Sequence, residues 1–91
     1  MMNRKEEALL ILQEECAEVI QACAKIKRFG EESRWPDELA PSTQECLEME
    51  IGQVLAMIDI LIERGQISDS AVNEARHAKK EKLKVWSNLY K

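Results

Sequence analysis

Three carboxylates crowd into the stretch LQEECAEVI, where Glu14, Glu15 and Glu18 stand among Leu12, Cys16, Val19 and Ile20. Further on, EIGQVLAMIDIL repeats the step from Glu15 to Glu18 with Glu50 and Gln53. Side chains of this kind are hard oxygen donors, the ligands that magnesium takes, with manganese as the alternative. Brought together without a cation, the carboxylates repel one another. Whether they meet depends on the elements that carry them.

Those elements read as three helices. Leu9, Leu12, Cys16, Val19, Cys23 and Ile26 recur at three- and four-residue steps, which predicts a helix over about 4–29. Gly30 is its stop, and Lys25, Lys27 and Arg28 suit the negative end of the helix dipole. The loop 30–42 holds both prolines and several turn formers, with room for one helical turn. Ser42 and Glu45 have the S-x-x-E spacing of a capping box. It opens a second helix over about 43–64, with Leu47, Ile51, Val54, Ile58, Leu61 and Ile62 as its stripe and Gly65 after it. Ser68 or Asp69 caps a third helix over about 70–88, whose stripe is Val72, Ala75, Leu83, Trp86 and Tyr90. Short connections favour antiparallel neighbours, so the expected fold is all-α, an antiparallel up-down helical bundle in one domain over residues 1–91.

Helical geometry then places the polar residues. At ~100° per residue, Glu15 falls roughly 80° and Glu18 roughly 140° to one side of the first stripe. Glu50 and Gln53 fall roughly 70° and 130° off the second stripe in the same rotational sense. Equal offsets on antiparallel partners land on one flank, and Glu18 and Glu50 sit at similar heights. Glu15, Glu18, Glu50 and Gln53 are therefore expected to converge around a magnesium ion. Glu14 points further from the seam. Glu45, Glu48 and Asp59 fall on the other flank and read as surface.

The third helix carries candidate substrate contacts. Lys79 lies at the centre of the apolar stripe, as a phosphate contact, a partner for the carboxylates, or a lysine snorkelling along the core edge. Arg76 flanks the stripe as a second candidate for gripping phosphate. Trp86 reads as core or interface ahead of base stacking. Trp35, in the loop, reads as packing on a second subunit ahead of lining a base pocket. Lys80, Lys82, Lys84 and His77 read as surface.

Bulk properties narrow the function classes. A chain of 91 residues buries only ~60–65% of its unfolded surface, so a shared core in a homo-oligomer is expected. A net charge of −4 with one short basic cluster, ARHAKKEKLK, argues against a nucleic-acid polymer as partner. No stretch is long and apolar enough for a membrane span, and no secretory pattern opens the chain, so a cytoplasmic protein is expected. Cys16, Cys23 and Cys46 are odd in number and form no CxxC; they read as small buried thiols, not as a disulfide or zinc site.

EECAE followed by EIGQVLAMIDIL resembles the MazG-like superfamily of all-α nucleoside triphosphate pyrophosphohydrolases, in its short phage and bacterial form. That family carries E-E-x-x-E on one helix and E-x-x-D on the next. The resemblance extends from EEALLILQEECAEV to ARHAKKEKLKVW. Glu14 matches the leading glutamate, Glu15 and Glu18 the E-x-x-E ligands, and Glu50 the glutamate of E-x-x-D. The resemblance implies magnesium-dependent cleavage of a nucleoside triphosphate between its α- and β-phosphates, giving a monophosphate and pyrophosphate. It implies Glu15 as ligand and catalytic carboxylate, with Glu14 placing the attacking water or accepting its proton. It also implies a dimer or tetramer in which helices of two subunits complete the pocket. Gln53 departs from the pattern, for an amide brings an oxygen but no charge. A weakened site, a site lacking one of two ions, a non-catalytic nucleotide- or metal-binding homologue and an engineered substitution are all open on this reading. A purely structural helical assembly module is the remaining alternative.

Overall fold

A computed structural model describes all residues 1–91, with helices α1 (Arg4–Phe29), α2 (Thr43–Glu63) and α3 (Asp69–Trp86). The fold is all-α; its one β feature is an isolated antiparallel bridge between Arg34 and Ser42. The chain divides into two compact units, Met1–Ile60 and Leu61–Lys91.

In the first unit, α1 opens on a capping box that uses Asn3 in place of the commoner serine or threonine. The Glu6 backbone N–H donates to Asn3 Oδ1 at 2.9 Å, and the Asn3 N–H donates back to Glu6 Oε2 at 3.3 Å. At the other end Gly30 adopts φ 85°, a conformation that glycine takes without a Cβ penalty, and its N–H closes on the Ile26 carbonyl at 2.8 Å. The S-x-x-E signal at the start of α2 forms as a reciprocal pair. The Glu45 N–H donates to Ser42 Oγ at 3.1 Å and the Ser42 N–H to Glu45 Oε1 at 3.3 Å.

The 30–42 loop is stitched to the start of α2. The Thr43 hydroxyl donates to the Gly30 carbonyl, the Thr43 N–H to Ser33 O at 2.9 Å, and the Gln44 N–H to Glu31 O at 3.1 Å. Arg34 reaches the Ala40 carbonyl at 2.6 Å and Glu45 Oε1 at 2.9 Å. These bonds satisfy loop backbone groups that would otherwise rely on water.

The buried edge of α1 differs from the apolar stripe. Ala8 and Ala22 are its buried residues, whereas Leu9 is 49% exposed. Small side chains let two helices approach closely, so the alanines sit deepest, while Leu12, Val19, Cys23 and Ile26 of the stripe are half-buried and Leu9 and Cys16 face outward. On α2 the buried residues are Met57 and Leu61. Cys16, Val19 and Ile20 of α1 and Ile51, Val54 and Leu55 of α2 line an apolar groove of about 230 Å³. Cys16 is therefore exposed, not a buried thiol, because nothing in the single chain covers that groove; Cys23 and Cys46 are half-buried, and all three are free.

The second unit begins in the last turn of α2. Gly65 takes φ 71° and closes the helix, its N–H reaching Ile62 O at 2.9 Å, with the Gln66 N–H reaching Leu61 O at 2.9 Å. Ser68 caps α3, its Oγ accepting from the Ala71 N–H at 3.2 Å. No residue of α3 is buried. Lys79 and Arg76 are exposed, and Trp86, expected in a core or an interface, is 75% exposed. Val72 and Leu83 of the α3 stripe are half-buried, and Leu61 of the same unit is 1% exposed.

Candidate functional site

Glu15 stands seven residues from both buried alanines, Ala8 and Ala22. Seven residues return a helix to nearly the same face, within ~20°. Glu50 likewise stands seven residues after Thr43 and seven before the buried Met57. Both carboxylates thus lie in the packed rows of their helices, closer to the seam than offsets from the apolar stripes suggest. Both are half-buried, and each would lose hydration there without compensation.

Gln53 supplies that compensation. It follows Glu50 by one turn on α2, and its amide nitrogen donates to Glu15 Oε2 at 2.8 Å and to Glu50 Oε2 at 2.9 Å. The amide orientation follows from these partners: two carboxylate oxygens require a donor between them. Thr43 at the start of α2 meets Gly30 after the end of α1, and Gln53 further along α2 meets Glu15.

Glu18 is exposed and shares with Glu50 the wall of a cavity of about 450 Å³. Ala22, Lys25 and Phe29 continue the same face of α1 at steps of four, three and four, and Cys46 lies one turn before Glu50 on α2. The 30–42 loop adds Trp35, which is 86% exposed. The cavity is mostly apolar, with carboxylates at one end and Lys25 as its basic group. Its volume falls in the range of small-molecule sites, ~300–1,000 Å³.

Among the residues expected to converge, Glu15, Glu50 and Gln53 come together, whereas Glu18 shares a cavity wall with Glu50 alone of the three. Glu14 is exposed on α1. Arg76, Lys79 and Trp86 belong to the second unit, on the exposed surface of α3. No three acidic, cysteine or histidine side chains come close enough to hold a metal ion by themselves. The donor set that does meet is two carboxylates and an amide, all-oxygen and suited to magnesium or manganese once the amide presents its oxygen.

Two contributors lay outside the sequence reading. Lys25 looked like a helix-end charge, yet its seven-residue spacing from Glu18 was the signal that it shares that residue's face. Arg34 had no local signal, since its partner Glu45 lies across the loop. The Ser42 backbone N–H first, then the Ser42 hydroxyl and the Arg34 guanidinium, hold the Glu45 carboxyl below the ordinary carboxylate value.

Compared with known protein families, curated proteins and solved structures, the chain matches none.

Proposed function

We propose that this chain is a MazG-like nucleoside triphosphate pyrophosphohydrolase, or a weakened form of one, that acts in the cytoplasm as a homo-oligomer with magnesium, or manganese, as cofactor. The observation that carries this reading is the meeting of Glu15, Glu50 and Gln53 on two neighbouring helices, beside a cavity that Glu18 and Glu50 share. Glu15, Glu18 and Glu50 would hold the cation, with Gln53 in the fourth ligand position. A divalent ion there would neutralise polyphosphate charge and supply an activated water at neutral pH.

The remaining roles belong to the protein's own groups. The apolar wall with Phe29 and Trp35 suits a nucleobase. Lys25 offers a positive charge to phosphate at the cavity wall. Glu14 is the carboxylate proposed to place the attacking water or take its proton. Arg76, Lys79 and Trp86 of α3 remain proposed substrate contacts.

A homo-oligomer, dimer or tetramer, would complete an antiparallel bundle by covering surfaces that one chain leaves open. The groove of Cys16, Ile20, Ile51 and Leu55 is such a surface, apolar throughout and exposed.

A panel of nucleoside triphosphates, assayed for pyrophosphate release with magnesium and with chelator, tests the reading. Release that needs the metal is the expected result; its absence across the panel would remove the enzyme. A second reading, a nucleotide- or metal-binding homologue without turnover, draws support from Gln53, which brings no charge to the ligand set. Tight binding without product would select it.

A further inference from the structure

We infer that Gln53 is a built-in counter-group for the carboxylate pair, taking in the metal-free chain the place that a cation would otherwise fill. Glu15 and Glu50 are half-buried in the packed rows of α1 and α2, directly in line with Ala8, Ala22 and Met57. Two like charges so placed push the helices apart unless something positive lies between them. The Gln53 amide nitrogen, with its two protons, donates one bond to each carboxylate, at 2.8 and 2.9 Å. One neutral side chain thereby bonds both helices.

The same amide has an oxygen on its other side. For a divalent cation to enter between Glu15 and Glu50, Gln53 must release both carboxylates and turn that oxygen inward, because a cation and an N–H donor cannot occupy one position. Metal binding therefore competes with an internal bond that is already made. An aspartate at this position would invert the balance: it would add a third negative charge to the empty site and a better ligand to the filled one. Gln53 thus fixes how far the fold depends on metal, a role separate from any turnover. Its metal arm rests on the proposed metal site; its stability arm does not.

The test is thermal melting of the native chain, Gln53→Met and Gln53→Asp, in chelator and in millimolar magnesium, with helicity by circular dichroism confirming that each is folded at low temperature. Methionine keeps the length and removes the amide. In chelator, both variants are expected to melt lower than the native chain by about 4–8 °C, the shift that loss of one such interaction gives in a domain of this size. Magnesium is expected to restore the Gln53→Asp chain most, and to move the native chain less. Variants that melt with the native chain in chelator would overturn the inference, as would a native chain that responds to magnesium as strongly as Gln53→Asp. A Gln53→Asp chain that melts low in chelator and ignores magnesium would uphold the counter-group and remove the metal from the proposed function.

Discussion

Glu15 and Glu50 share a single partner: the Gln53 amide nitrogen lies 2.8 Å from one carboxylate and 2.9 Å from the other. The two acids are half-buried, and each sits seven residues from a buried neighbour on its own helix. Function and packing therefore make opposite demands on the same positions. Replacing either acid by its amide removes a proposed ligand but also relieves like-charge repulsion. Glu15→Gln and Glu50→Gln should lower magnesium-dependent pyrophosphate release by about 10²-fold or more while the melting temperature in chelator is retained or raised. Kinetics and melting on the same preparations check both halves.

The alanine seam sets how closely α1 is packed. Ala8 is 6% exposed and lines neither the cavity nor the apolar groove, so a larger side chain there has no open space to enter. Ala8→Leu should cost about 1–3 kcal/mol by overpacking. Ala24→Leu, on the exposed face, should change stability by less than about 0.5 kcal/mol. Denaturant unfolding of the two variants beside the native chain separates them.

Ser42 is the buried polar side chain of the molecule, at 4% exposure, and caps α2. Ser42→Ala should destabilise by about 1 kcal/mol through the lost cap. Ser42→Asp should retain more of the stability than alanine does, because a carboxylate also accepts from the first turn. Unfolding midpoints of the pair give the comparison.

Acid should act through Glu45. Its carboxyl is held below the ordinary value of 4.5, so on acidification the unfolded chain binds the proton before the folded chain does. The contribution is complete above that value and is lost as pH falls through the lower, folded one. Stability of Glu45→Gln relative to the native chain, followed by denaturant unfolding from neutral pH downward, should therefore show a deficit that shrinks in acid. A deficit that grows would contradict the sign.

The apolar groove should report assembly. Ile20→Glu or Leu55→Glu would place a charge on a surface proposed to be covered by a second copy, and desolvating an unpaired charge is costly. Either variant should shift the protein to monomer in sedimentation, with α-helicity largely kept. An unchanged sedimentation profile would place the contact elsewhere.

Much of the architecture was readable from local chemistry. Helix limits followed from periodicity and stop signals: α1 spans Arg4–Phe29 as expected, and α2 and α3 depart by one or two residues at their ends. Ser42 with Glu45 formed the expected reciprocal cap because capping is a three-residue affair that sequence encodes directly. The identity of the buried edge was harder to read. Hydrophobicity ranked Leu9 and Cys16 above Ala8 and Ala22, whereas close approach of helices selects small residues, and only the neighbouring helix makes that visible. The meeting of Glu15, Glu50 and Gln53 was legible from spacing. That the amide would bond both acids was not, since it depends on side-chain reach across two helices. Trp35 and Trp86 stayed ambiguous because their surroundings in one chain leave them largely bare.

The row that contains Ala8, Glu15 and Ala22 carries a final consequence. Two small side chains fourteen residues apart present little relief by which a neighbouring helix could be aligned. The alignment present brings the Gln53 amide within bonding distance of both acids at once. A slide of α1 along α2 by one turn, ~5.4 Å, would break the bond between Gln53 and Glu15, so the triplet favours this register although Gln53 itself is exposed. Alignment and chemistry rest on the same three side chains, so neither can drift without the other.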